Sequence, residues 1–433
     1  MKLQLITLGC SKNRVDSEHL LKQIEQAGII IVPESEDVFV VKPDVIVINT
    51  CGFIQDAKTE SIEAILSAVA VKQNGLVKKV FVCGCLSQRY FNELKHEIPE
   101  VDAFFGADDQ PGILKALGIS FSPSLACCRH LTTPSHYAFL KISEGCDRNC
   151  SYCAIPLIRG PHRSVPMEQL LQEAEILAAN GVKELIVIAQ DTTYYGLDLY
   201  QKRMLAPLLE KLSEIKGIEW IRIHYSYPAA FPMDVLELMA VNSKICKYLD
   251  IPLQHSSSKV LDLMRRNIDG AQTRALVEQF REKVPGIVLR TTMIVGHPGE
   301  GVREYKDLLA FVAQYRFERL GAFTYSEEEN TYSALNLKDS VSHKVKSERY
   351  EQLMDLQSQI SLQYNQSRIG TTERVLVDSF CDGFLHARSS KESVEVDGEI
   401  LIPALVVPAG IIGNFINVKI TAADEYDLSA ELI

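Results

Sequence analysis

Nine apolar runs, each followed by a segment of helical spacing, occupy the first 330 residues of this 433-residue chain. Uninterrupted apolar runs such as Val45-Ile46-Val47-Ile48 suit strands buried on both faces, and strands separated by helices pair in parallel. Three runs, at 3–8, 45–49 and 80–82, predict an α/β domain with a parallel sheet over residues 1–125. Six more, at 137–142, 184–189, 220–224, 248–253, 288–295 and 319–326, predict a second domain over 132–367. Right-handed crossovers would curve it into a (βα)-type half-barrel, with its strand-end loops on one rim. Helical spacing over 16–27 (Leu20, Leu21, Ile24) has Asp16-Ser17 as its cap candidate. A helix after Cys51 would turn Ile62, Ile65, Leu66 and Val69 inward. Spacing over 341–367 (Tyr350, Leu353, Met354, Leu356, Ile360, Tyr364) predicts a long bridging helix. Beyond it the pattern shortens to strands at 375–380, 384–387, 394–396, 399–402, 415–421 and 428–432, with Asp397-Gly398 as a hairpin turn. Residues 368–433 are therefore expected to close into a small OB-like β-barrel.

The chemistry is concentrated in cysteine. Cys146, Cys150 and Cys153 fall within eight residues, a density that lets one loop reach several irons of an iron–sulfur cluster. Three ligands leave one iron of a 4Fe-4S cube open, as catalytic metal sites do. Zinc would need a fourth ligand; His162 is the near candidate, at a spacing unsuited to a finger. In the first domain, Cys10, Cys51 and Cys85 each follow a strand, and parallel α/β sheets bind ligands beyond the carboxyl ends of their strands. The three are expected to converge, with Cys83 open as a replacement for Cys85. Single buried cysteines usually only pack, but equivalent placement of three favours a second cluster. Cys127 and Cys128 lie in a Pro/Ser-rich linker and take no role; Cys246 and Cys381 suit packing. At the strand ends of the second domain stand Gln190, His224, Gln254, His255 and Arg265, where a cofactor would lie.

Eleven cysteines with no secretory leader or membrane-length apolar run suggest a cytoplasmic protein using metal rather than disulfides. The net charge of −11 disfavours a nucleic-acid partner, which would call for a basic face. From residue 370 onward, four basic residues stand against eleven acidic ones, a balance of −7, so a basic protein is the better partner for the barrel.

The chain resembles the methylthiotransferase branch of the radical S-adenosylmethionine (SAM) enzymes over nearly its full length. The N-terminal likeness lies in Thr7-Leu8-Gly9-Cys10-Ser11-Lys12-Asn13, in Asn49-Thr50-Cys51-Gly52-Phe53-Ile54 and in Gly84-Cys85-Leu86-Ser87-Gln88-Arg89. The central likeness lies in the 146/150/153 triplet with Ala154-Ile155-Pro156-Leu157-Ile158-Arg159-Gly160, and in Gln190-Asp191-Thr192-Thr193. It implies an N-terminal α/β domain, a radical SAM half-barrel and a C-terminal TRAM barrel. It also implies two 4Fe-4S clusters, one on Cys146, Cys150 and Cys153 and one on Cys10, Cys51 and Cys85, which selects Cys85 over Cys83. SAM would bind among Gln190, His224, Gln254 and Arg265. Glu144-Gly145-Cys146-Asp147-Arg148-Asn149-Cys150 and Ala387-Arg388-Ser389-Ser390 look like the branch acting on ribosomal protein S-twelve. That branch adds a methylthio group to the β-carbon of an aspartate; the alternative is the sister branch, which modifies isopentenylated adenosine in tRNA. The resemblance implies as partners S-twelve or the small ribosomal subunit, an electron donor such as flavodoxin or ferredoxin, and a sulfur source, with no membrane. A monomer is expected. His297 departs from the aromatic expected at its position, and residues 326–330 lack a glycine expected before Thr331. A non-catalytic iron–sulfur protein is the competing class, but would need four ligands per cluster.

Overall fold

The computed structural model describes residues 1–407 and 410–433. Two compact units divide the chain: Met1–Thr132, Phe139–Arg148 and Ala154–Ile176 in the first, Thr133–Ala138, Asn149–Cys153 and Leu177–Ile433 in the second.

The first unit is built on a five-stranded sheet of β1 (Lys2–Thr7), β2 (Ile30–Val32), β3 (Val45–Thr50), β4 (Lys79–Gly84) and β5 (Ala103–Phe104). All pairings are parallel, in the order β2-β1-β3-β4-β5. Every residue of β3 is buried, because helices cover both faces. Leu20, Leu21 and Ile24 of helix Ser11–Gln26 pack on one side with Phe81 and Cys83. Ile65, Ala68 and Val69 of helix Gln55–Gln73 pack on the other. Two expectations need correction. Helix Ser11–Gln26 starts five residues before Asp16, capped by the backbone of Cys10, because the Asp16 carboxylate is drawn to Lys141 and Arg159 instead. Ile62 and Leu66 are exposed while Ser61 is buried, since the Ser61 hydroxyl bonds the backbone N–H and C=O of Cys51. A ribbon of β7 (Ser143–Glu144) and β8 (Arg163–Ser164) flanks the three-cysteine loop.

The second sheet has the order β13-β12-β11-β10-β9-β6, from β6 (Tyr137–Lys141), β9 (Glu184–Ile188), β10 (Trp220–Ile223), β11 (Ile245–Asp250), β12 (Val288–Val295) and β13 (Arg319–Thr324). The fourth strand runs 245–250 rather than 248–253, for Pro252 has no N–H to give a ladder. Helix His343–Gln366 is present, capped by the Ser342 hydroxyl, but its buried face is more polar than the apolar spacing implied. Arg349 bonds Glu300, Gln357 donates to the Phe317 carbonyl, and Asn365 donates to the carbonyls of Asp424 and Tyr426.

The C-terminal segment closes as a five-stranded barrel, β14 (Thr372–Cys381), β15 (Phe384–Ser389), β16 (Ile400–Pro403), β18 (Leu428–Leu432) and β17 (Phe415–Ala423). Residues 394–396 are not a strand, and Asp397-Gly398 is not a hairpin turn. The Asp397 carboxylate is buried, accepting from Tyr248 Oη at 2.7 Å and from the Ser393 N–H at 2.8 Å, which holds this stretch as a loop. The barrel is joined to the half-barrel sheet by apolar contact, Trp220 edge-on to Phe415 at 4.7 Å, and by charge. Glu184 lies between Arg222 (2.9 Å) and Arg388 (2.7 Å), and Arg388 also grips Asp378, which His136 contacts at 2.8 Å. Arg368 and Arg319 share Glu392 in the same way. Among the described residues no helix is long and apolar enough to cross a membrane.

Burial works to raise the pKa of Glu184 and Asp378, but their arginines outweigh it and hold both below the ordinary carboxylate range. A depressed folded-state pKa stabilises above the unfolded value and is lost as pH falls through the folded one. Barrel docking should therefore weaken as pH drops below about 4. Glu184→Ala, which strands two buried guanidinium groups, should cost about 3–5 kcal/mol. Emission from Trp220, the single tryptophan, followed through urea unfolding checks both; a midpoint equal to the parent's would contradict them.

Candidate iron–sulfur site

Cys10, Cys51 and Cys85 follow β1, β3 and β4, three neighbours in the first sheet, so their side chains start from one edge. The chain reversals pack closely enough to exclude side chains. A Cβ on Gly9 (φ +89°) would lie 2.6 Å from Cys51 Cβ and 2.8 Å from its Sγ. One on Gly52 would lie 2.7 Å from the Leu86 backbone and 3.0 Å from that of Cys85. Asn13 ties the reversals together, donating to the carbonyls of Leu8 (2.9 Å) and Thr50 (3.1 Å). Its Oδ1 lies 3.8 Å from Cys85 Sγ. Burial pushes the Cys85 thiol up to about 11 and shifts Cys51 the same way, with Cys10 adding to both. Thiolates gathered here would repel one another unless a cation lay between them. Cys83 instead faces the apolar core with Leu3 and Phe81, its thiol pushed up to about 12 by burial.

The group nearest these sulfurs in charge was not singled out in the sequence. Arg159, buried, donates from Nε to Cys85 Sγ at 3.2 Å. Its Nη1 bonds Asp16 and Glu144, each at 3.0 Å, and its Nη2 bonds Asn13 Oδ1 at 2.6 Å. Burial acts to raise Glu144, yet Lys141 and Arg159 hold it at about 2. No spacing rule could find this contact, because Arg159 and Cys85 lie 74 residues apart.

The three-cysteine loop is anchored at both ends. At its start Gly145 (φ +76°) passes so close to the Pro161 carbonyl that a Cβ would sit 2.0 Å from it, and the Cys146 N–H bonds the Gly160 carbonyl. His162 turns its ring to Ser164 Oγ at 3.0 Å, and its N–H bonds the Asp147 carboxylate. In the second unit, Ser151 bonds the Met264 carbonyl through its N–H and Ser333 through its hydroxyl. Arg266, buried, reaches Cys150 Sγ at 3.3 Å, the Tyr152 phenol at 3.4 Å and the Pro252 carbonyl at 2.6 Å.

Of the cofactor residues expected from sequence, Gln254 and Arg265 have left-handed backbones. Gln254 has φ +73°, pairs with β12 through Thr292 and Ile294, and leaves Oε1 buried without a hydrogen-bond partner among the described residues. Gln190 stands two residues after the end of β9, beside Asp191, which caps the turn Thr192–Tyr194. His224 is placed differently: its Nε2 meets Ser393 Oγ at 2.8 Å and its ring stacks on Tyr248, so it contacts the chain leading into the barrel. Arg265 is exposed and lies over the Tyr332 ring at 3.3 Å. Its φ of +55° ends the helix Ser258–Leu263 and turns the next residue, Arg266, inward. His255 accepts at Nδ1 from the N–H groups of Ser256 and Ser257, which places its proton on Nε2, 3.4 Å from Glu300. His297, held at about 4 by burial, contacts Ser333 and lies edge-on to Tyr152.

Among the described residues no three His, Cys, Asp or Glu side chains are placed to hold one metal ion. A cube of four irons makes a different demand, since each thiolate binds its own iron.

The model of the Radical SAM superfamily matches residues 140–312, that of the Uncharacterized protein family UPF0004 matches 2–106, and that of the TRAM domain matches 369–433. The ribosomal protein uS12 methylthiotransferase RimO of Cytophaga hutchinsonii is 51% identical over 432 residues, covering 100% of this chain and 98% of that protein. Its namesake in Bacteroides fragilis is 50% identical over 433 residues, covering 100% and 99%. The radical SAM methyltransferase TsrM of Kitasatospora setae, solved with cobalamin and a [4Fe-4S] cluster, superposes with a TM-score of 0.55 at 12% identity. The match covers 94% of this chain and 83% of TsrM and shows likeness of fold alone.

Gly9→Ala should separate the Cys10 and Cys51 loops. It sets a Cβ against Cys51 and adds backbone strain of about 1–3 kcal/mol. Iron bound per chain after anaerobic reconstitution should fall while the helical circular dichroism persists; iron content equal to the parent's would refute the close-packing argument.

Proposed function

The chain belongs to the ribosomal protein uS12 methylthiotransferases, full-length relatives at half identity bearing that name, and on that premise we propose how its residues divide the work. The protein adds a methylthio group to the β-carbon of an aspartate in uS12. Cys146, Cys150 and Cys153 hold one 4Fe-4S cluster and Cys10, Cys51 and Cys85 the other, the second being the sulfur site. The observation that carries this reading is the convergence of the second set at the carboxyl ends of three adjacent strands, apart in sequence from the first.

A 4Fe-4S cluster held by three of these thiolates would supply, together with SAM, the one-electron chemistry needed to functionalise an unactivated carbon. The chain supplies position and charge. Arg266 donates to the Cys150 sulfur and, through the Pro252 carbonyl, ties the cysteine loop to the stretch that ends at Gln254. Gln254 Oε1, buried without a hydrogen-bond partner among the described residues, suits a polar atom of SAM, and Gln190 lies just past the end of β9. We place Arg266 in the binding role first given to Arg265, and give His224 the task of holding the barrel loop. Residues 1–125, 132–367 and 368–433 serve as sulfur, radical and substrate-docking domains. The protein works in the cytoplasm as a monomer, with flavodoxin or ferredoxin as electron donor and a separate sulfur source.

The test is an anaerobic reaction with SAM, reductant, sulfide, purified uS12 and bulk tRNA, read by mass spectrometry. A methylthio gain on the uS12 aspartate peptide is expected; a gain on tRNA alone would overturn the substrate. Cys51→Ala should still form 5′-deoxyadenosine but transfer no methylthio group, and retained transfer would remove Cys51 from the sulfur site.

A further inference from the structure

We propose that Arg159 is a positioning residue for the second cluster, fixing the reduction potential of that site through its hydrogen bond to the Cys85 sulfur. The inference rests on the reading that Cys10, Cys51 and Cys85 hold a cluster.

All three guanidinium nitrogens of Arg159 are committed, and to different kinds of acceptor. Nη1 takes the two carboxylates, Nη2 takes the Asn13 amide oxygen, and Nε is left to the sulfur. An arginine serving only as an ion pair would be satisfied by Asp16 and Glu144, which Lys141 already engages. The planar fork is what allows one side chain to face two carboxylates and a thiolate together, and an ammonium cannot reproduce it. Asn13 makes the aim of the fork rigid, because the same amide that accepts from Nη2 is pinned to the carbonyls of Leu8 and Thr50. Ala154 and Ile158, on the chain leading to Arg159, pack on Cys85 and keep water from the contact.

Hydrogen bonds to cluster sulfurs and nearby positive charge make reduction easier, and burial strengthens both effects. Arg159 is also six residues past Cys153 in the sequence. The segment that carries the radical-forming cysteines therefore ends on the residue that sets the charge at the sulfur site.

The experiment uses the full chain with Cys146, Cys150 and Cys153 changed to serine, so that only the second cluster can form. Iron content is measured first, and the reduction midpoint is then followed by electron paramagnetic resonance. In that background Arg159→Met should keep its iron while shifting the reduction equilibrium tenfold or more toward the oxidised cluster, about 59 mV for one electron. Arg159→Lys, which keeps the charge and loses the directed N–H, should shift it less in the same direction. If Arg159→Met fails to hold iron, Arg159→Lys carries the test alone. An unchanged midpoint with the cluster intact overturns the role of Arg159. Absence of iron from the triple-serine protein itself overturns the two-cluster reading beneath it.

Discussion

Space for side chains runs out where the first sheet ends, and the close approach of the chain around Cys10, Cys51 and Cys85 depends on that. Gly9, Gly52 and Gly84 stand immediately before or after Cys10, Cys51 and Cys85. A Cβ at Gly84 would lie 2.4 Å from Asn49 Oδ1 and 2.5 Å from the Thr50 carbonyl. With glycine there, three backbones can approach, and the polar groups they bury must be paired from within. Asn13, Asn49 and Ser61 do that pairing, and each therefore occupies a place that a simple apolar pattern would give to a hydrophobe.

The same trade explains which parts of the fold the sequence discloses. The sheet strands are legible because parallel strands buried on both faces leave no room for polar residues, and the runs at 45–49 and 184–189 contain almost none. Convergence of the cysteines was legible too, because position at a strand end is a local property. What is not local is hidden. Arg159 and Cys85, Arg388 and Glu184, and His224 and Ser393 are each separated by more than 70 residues. None belongs to a periodic pattern. The tandem pair Arg265-Arg266 shows the finer limit: helical spacing cannot say which turns inward, because a positive φ at the first rotates the second.

Charge gives the clearest example of sequence composition overstating a surface. The barrel's acidic excess suggested a face for a basic partner. Yet Glu373 and Glu392 are spent on Arg368, Asp378 on Arg388, and Asp397 on Tyr248 and Arg290. Their charges are neutralised inside the protein, where they join the barrel to the sheet or brace the barrel's own loop. Asp382, Glu395, Glu399, Asp424, Glu425, Asp427 and Glu431 remain wholly or partly open to solvent. Against them Arg374, Lys391 and Lys419 are the basic residues still exposed in whole or part, since Arg388 is buried.

The surface therefore stays acidic, but by a smaller margin than the sequence total, and its charges are wholly or partly open to solvent. Interactions of that kind are screened within about 10 Å at 0.1 M salt, so they would guide the approach of a basic protein more than they would hold it. Tight binding would have to come from elsewhere, and the buried arginines cannot provide it without leaving Glu184 and Glu392 unpaired. The two sets of charge are thus separated by depth: the buried acids brace the barrel and its junction with the sheet, and the others are wholly or partly open to solvent. A substitution that weakens the first should disturb stability, while one that weakens the second should alter the rate and salt dependence of encounter and leave the fold intact.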